Sequence, residues 1–66
     1  MSASKNPIAV VVTYTDEIGE TQTDTHVVIG LGVAIRLAME ESKWEKTLRV
    51  DIPDCQMVAI DGELVA

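Results

Sequence analysis

The groups in this 66-residue chain that could do chemistry are eleven carboxylates, one histidine, His26, and one cysteine, Cys55. Nucleophilic catalysis would have to pair His26 with Cys55. Ser2 and Ser4 fall in a polar tail, and Ser42 falls on a helical segment with no sharp turn around it. A thiol becomes a useful nucleophile only where a cation or a helix N-terminus favours the thiolate, and acyl chemistry also needs an oxyanion hole. The residues around Cys55 suggest neither. The plainer readings are a surface strand residue for His26 and a small buried or half-buried hydrophobe for Cys55. We therefore expect no enzyme and no catalytic residue.

Metal and cofactor sites are not expected either. One Cys and one His cannot complete a structural zinc site, and the acidic residues lack the loop spacing and glycine of an EF-hand. Gly30-Leu31-Gly32 resembles half of a phosphate-binding loop, but no Lys-Ser/Thr follows it, and a strand-to-helix corner accounts for it.

The carboxylates themselves are what remains. Eleven Asp and Glu against five Lys and Arg give a formal charge of −6. That balance speaks against direct nucleic-acid binding, in which Lys and Arg displace counterions from phosphates, and against an anionic membrane surface. It suits a basic protein partner, since complementary potential speeds encounter and sets register. Net charge also simply keeps a small domain soluble, and a charge run is usually a solvated face.

Placing these charges requires the elements that carry them. A chain of this length makes one domain, burying only about 60% of the surface its unfolded form exposes. With no Phe, one Trp and one Tyr, its core must come from Val, Ile, Leu, Ala and Met. Residues 1–6 read as a disordered polar tail, and 7–66 as a single compact domain. Ile8 to Thr15 is rich in β-branched residues and reads as a strand, with Ile8, Val10, Val12 and Tyr14 on one face. Asp16-Glu17-Ile18-Gly19 is a turn, and Glu20 to about Val28 returns as an antiparallel strand. Its threonines take one side and Glu20, Gln22, Asp24 and His26 the other; the second set is expected to face solvent.

Gly30 to about Glu45 reads as the single helix, with Leu31, Ala34, Ile35, Ala38 and Met39 at the spacing of a buried stripe. No side-chain cap precedes it, and Trp44 near its end is expected to pack its ring on the sheet. Thr47 to Ile52 is a third strand with Leu48, Val50 and Ile52 inward. Pro53-Asp54 marks a turn, Cys55 to Ile60 a fourth strand, and Asp61-Gly62 a hairpin turn that would give Glu63-Leu64-Val65 a short fifth strand. The expected fold is α+β: an antiparallel sheet of four strands, or five with that last one, in the order β-β-α-β-β, with one helix packed on one face.

One helix leaves the second sheet face solvated unless a partner covers it. On that face and its hairpin tips we expect the partner-binding carboxylates: Asp16, Glu17, Glu20, Asp24, Asp51, Asp61 and Glu63. Arg36, Lys43 and Lys46 would leave the helix side near neutral, with Arg49 as the main counter-charge on the sheet side. A lone cysteine fits a reducing compartment. The opening MSASKNP has no apolar segment that would direct export, and no apolar run approaches the roughly 20 residues of a membrane span. A cytoplasmic setting, in a bacterial host, is expected.

The opening hairpin PIAVVVTYTDEIGETQTDTHVV, the helix LGVAIRLAMEESKW and the closing strands TLRVDIPDCQMVAIDGELVA cover nearly the whole chain. In size, acidity and layout they resemble the small phage-encoded anti-CRISPR proteins, in particular inhibitors of type I-C systems. The resemblance implies a monomeric inhibitor that acts as a DNA mimic. Its acidic surface would occupy a basic groove of the effector complex Cascade, near the Cas8-type subunit, with carboxylates standing in for phosphates. The other reading from the residues is a small assembly protein that dimerises through its open sheet face, where Val11, Thr13 and Val58 would leave apolar area.

Overall fold

The computed structural model describes residues 6–65. Of the expected disordered tail, residues 1–5 lie outside that range; Asn6 is exposed and precedes the first strand. The elements are β1 (Pro7–Thr15), β2 (Thr21–Ile29), α1 (Leu31–Glu41), β3 (Thr47–Ile52), a 3-10 turn (Pro53–Cys55), β4 (Met57–Ile60) and β5 (Glu63–Leu64). The α+β expectation holds, with one helix and a five-stranded antiparallel sheet in the order β2-β1-β3-β4-β5.

Both β2 and β3 run antiparallel to β1, so they are parallel to each other on its two sides. A connection between parallel strands needs a crossover of a dozen or so residues, and α1 supplies it. The crossover lays α1 over β1 and β3. The core lies between these layers: Val10 and Val12 of β1, Ala34 and Ala38 of α1, Val50 and Ile52 of β3, and Ala59 of β4. Two alanines on the buried helix stripe let the helix approach the strands closely. Ile8, Tyr14, Val28, Ile35, Leu37, Cys55 and Met57 complete the packing from its margins.

Several local readings need correction. The helix stops at Glu41 rather than running on to Glu45. Ser42 ends it: its buried hydroxyl donates to the Met39 carbonyl at 2.8 Å and accepts from the Gly62 N–H at 2.8 Å, tying the helix terminus to the β4–β5 turn. The Lys43 and Trp44 N–H groups then bond to the carbonyls of Glu40 and Glu41, three residues back, which tightens the chain out of the α-helix. Trp44 consequently sits past the helix and is 68% exposed instead of packing its ring into the sheet.

Leu48 is also not inward. The β1–β3 register shifts between Thr13 and Tyr14, which pair with Arg49 and Thr47, so Leu48 is the unpaired residue of a bulge and half of it is in solvent. Cys55 closes a 3-10 turn rather than opening β4. Gln56 then takes left-handed backbone angles (φ 54°, ψ 40°), and β4 begins only at Met57. The short fifth strand is present, reached through Asp61 (φ 55°) and Gly62 (φ 84°), two successive positive-φ residues of the kind the tightest hairpin turns need.

Candidate functional site: an acidic groove beside the helix

The connection between β1 and β2 decides where the carboxylates go. Five residues, Asp16 to Glu20, join the two strands, and the unbroken register pairs Thr15 with Thr21, Tyr14 with Gln22, Val12 with Asp24 and Val10 with His26. Directly opposed residues of an antiparallel pair share a face. Gln22, Asp24 and His26 are therefore on the same side as Val10, Val12 and Tyr14, which is the helix side. This corrects the expectation that Asp24 lies on the helix-free face. The polar set is nonetheless solvated, because α1 covers β1 and β3 and leaves that side of β2 open.

Between the end of α1 and this uncovered strip of β2 lies a groove of about 440 Å³. Its floor is Val12, Tyr14 and Thr47. One wall is Asp24 and His26, the other Glu41, Trp44 and Lys46, and the hairpin end is closed by Thr15, Asp16 and Glu17. Four carboxylates against one lysine, with His26 not counted, leave three negative charges in a groove that also holds two aromatic rings. The wall carrying Trp44 and Lys46 is fixed through its backbone: the Thr47 N–H donates to the Trp44 carbonyl at 3.0 Å, and the Thr15 N–H to the Lys46 carbonyl at 2.9 Å.

Asp16 is already engaged within the fold. One carboxylate oxygen accepts from the N–H groups of Ile18 (3.0 Å) and Glu20 (2.8 Å), and the other accepts from the Gln22 side-chain amide at 3.0 Å. The Gln22 amide first, then the Glu20 N–H, hold its carboxyl below the usual aspartate value. Asp16 shapes the hairpin and lends its charge to the groove. Glu17 and Asp24 line the groove, and their side chains have no hydrogen-bond partner among the described residues. Glu20 is at the hairpin tip, exposed, with its backbone bonded to that of Asp16.

The remaining three candidates are elsewhere. Asp51 pairs across the strands with Val11 and Val58, on the helix-free face, where the Arg49 guanidinium grips it with Nη2–Oδ1 at 2.7 Å and Nε to both oxygens at 3.2 Å. The pair neutralises itself, and the Asp51 carboxylate holds the Arg49 pKa above its ordinary value. Asp61 is in the β4–β5 turn, and Glu63 opposes Ile60 on the helix-free face. That face also carries the β2 threonines, Val27 and Ile29, so it is mostly hydroxyl and aliphatic rather than strongly negative.

Sequence reasoning missed Glu41, His26, Trp44 and Tyr14 as parts of one site. The signal was the parity of the hairpin: any register that pairs Tyr14 with Gln22 puts Asp24 and His26 over the helix side. Cys55 is half-buried against the core and takes no part in the groove. Among the described residues no three His, Cys, Asp or Glu side chains gather as a metal ion would require, and no helix is long and apolar enough to cross a membrane. Comparison of the chain with protein-family models, with curated proteins and with solved structures returns no match at any level that identifies a relative.

Proposed function

We propose that this protein is a non-enzymatic binding protein that uses the groove to take basic side chains from a partner protein. The observation that carries the reading is that Glu17 and Asp24, whose side chains have no hydrogen-bond partner among the described residues, line the same groove as Tyr14 and Trp44. A guanidinium or ammonium seated there gains charge-assisted hydrogen bonds from the carboxylates and cation–π attraction from the rings. The same chemistry binds Lys and Arg side chains that otherwise hold phosphates. On the resemblance to anti-CRISPR proteins, the partner is a basic DNA-binding surface of a type I-C effector complex, and occupation of that surface blocks DNA recognition.

The direct test is competition. Purified type I-C Cascade is offered its target DNA with and without the protein, and the experiment is repeated with E17K/D24K/E41K. The expected result is loss of DNA binding with the native chain, weaker as salt rises, and no inhibition by the triple variant. Unchanged DNA binding in the presence of excess native protein rejects that partner. Inhibition that survives the triple variant rejects the groove.

One observation favours the reading of an assembly protein that joins through its open sheet face: Val27, Ile29 and Ile60 are exposed on it. An Ile60→Lys variant that loses self-association would support that alternative.

A further inference from the structure

The two edges of the sheet are unequal. The β5 edge is two residues long and carries Glu63, and short charged edges resist pairing with other chains. The β2 edge is nine residues long, Thr-Gln-Thr-Asp-Thr-His-Val-Val-Ile, without a proline, a lysine or a bulge, and with no neighbour on its outer side among the described residues. Asp24 is its one carboxylate, and apart from it nothing in that strand discourages another strand from adding to it.

The hydrogen-bond parity shows which groups it offers. The Asp16 N–H donates to the Glu20 carbonyl, which makes Asp16 and Glu20 a hydrogen-bonded pair. Bonded pairs alternate along an antiparallel ladder, so Gln22, Asp24, His26 and Val28 point their backbone groups at β1. Thr21, Thr23, Thr25, Val27 and Ile29 point theirs outward, to the free edge.

We propose that this edge takes the β2 strand of a second copy of the chain, antiparallel, with the two-fold axis passing between the two Thr25 residues. That register pairs all nine residues. On the helix side it sets Asp24 of each copy opposite His26 of the other, at a non-hydrogen-bonded position where side chains approach most closely. On the other side it sets Thr25 opposite Thr25, Thr23 opposite Val27 and Thr21 opposite Ile29. Shifting by two residues one way opposes Asp24 to Asp24; shifting the other way opposes Asp24 to Val28 and His26 to His26. A carboxylate–imidazole hydrogen bond at each Asp24–His26 pair thus selects one register. The product is a continuous ten-stranded sheet with both helices on the same side and the two acidic grooves adjacent across the two-fold.

Sedimentation equilibrium over a wide concentration range tests this on the full chain. The native protein is expected to dimerise. Thr25→Pro removes an outward N–H that makes no bond to β1, a position where an edge strand tolerates proline, and it should give a folded monomer by circular dichroism. Should Thr25→Pro fail to fold, the charge pair decides: Asp24→Lys should weaken the dimer about tenfold, and the double change Asp24→Lys/His26→Asp should restore it by rebuilding the cross-strand pair. A native chain that stays monomeric throughout overturns the proposal. So does a dimer that survives folded Thr25→Pro but is lost in Ile60→Lys, which would place the contact on the sheet face. So does an Asp24→Lys dimer as tight as the native one.

Discussion

Asp16, expected among the partner-binding carboxylates, lines the groove while both of its oxygens are engaged within the hairpin. An acidic residue at the head of a turn offers an acceptor to backbone N–H groups two to four residues ahead; Asp16 uses Oδ1 in that way, while its Oδ2 accepts from the Gln22 side-chain amide. Because those donors favour the carboxylate, its folded pKa lies below the ordinary 3.8. Above the ordinary value both folded and unfolded chains are deprotonated there, and the stabilisation is fully present. It is lost as pH falls through the lowered folded value, where the native carboxylate finally protonates. Asp16→Asn should therefore be less stable than the native chain at neutral pH, with the gap closing as pH falls below about 3.8. Urea unfolding at a series of pH values measures it, and a gap independent of pH would show that the charge on Asp16 does not support the turn.

At the scale of elements, most of the fold was legible because local chemistry and burial agree. The β-branched run of β1 and the alternation in β3 mark strands whose inward residues Val10, Val12, Val50 and Ile52 are buried, and Asp61-Gly62 marks the last hairpin. The departures occur where tertiary contacts override local pattern. Nothing in the run Glu40-Glu41-Ser42-Lys43 forbids another helical turn, and it is the distant Gly62 N–H on Ser42 that accompanies the stop. Leu48 satisfies strand alternation but falls at a bulge set by β1.

The placement of charge departs from expectation for a different reason: alternation within β2 separates its two faces, but only its pairing with β1 fixes which of them is the helix side. The start of the helix gives a testable case of local backbone control. Gly30 has φ 102° and ψ 136°, no side-chain cap precedes α1, and the Ala34 N–H reaches the Gly30 carbonyl at 3.1 Å. A Cβ at Gly30 meets nothing within 4 Å, so the cost of replacing it is conformational alone. Gly30→Ala should destabilise the domain by about 1–3 kcal/mol, the usual cost of a non-glycine residue in a glycine-only region. Chemical denaturation reads it, and a cost near zero would mean that the β2–α1 corner can adopt another path.

Across the whole molecule, the question is whether charge acts by its total or by its place. The charged groups are spread over the surface: some line the groove by α1, Arg49 and Asp51 neutralise each other on the open face, Asp61 and Glu63 sit at the β4–β5 hairpin, and others, Glu40 and Asp54 among them, are exposed elsewhere. Two triple variants separate total from place. E17K/D24K/E41K alters the groove, and E40K/D54K/E63K alters exposed carboxylates outside it. Each replaces three negative charges by three positive ones, a change of six, and so brings the formal charge from −6 to 0. Long-range attraction depends on the summed field, so both variants should slow association with a basic partner at low salt, and the two should converge as salt screens that field. Short-range contacts depend on place. Only the groove variant removes the carboxylates beside Tyr14 and Trp44, so only it should raise the dissociation rate, by about tenfold or more, since truncating a contacting charge acts mainly on dissociation. Surface plasmon resonance at two salt concentrations distinguishes the two effects. Equal dissociation rates for both variants would make this chain a diffuse acidic surface, with the groove an incidental feature of where a short helix ends.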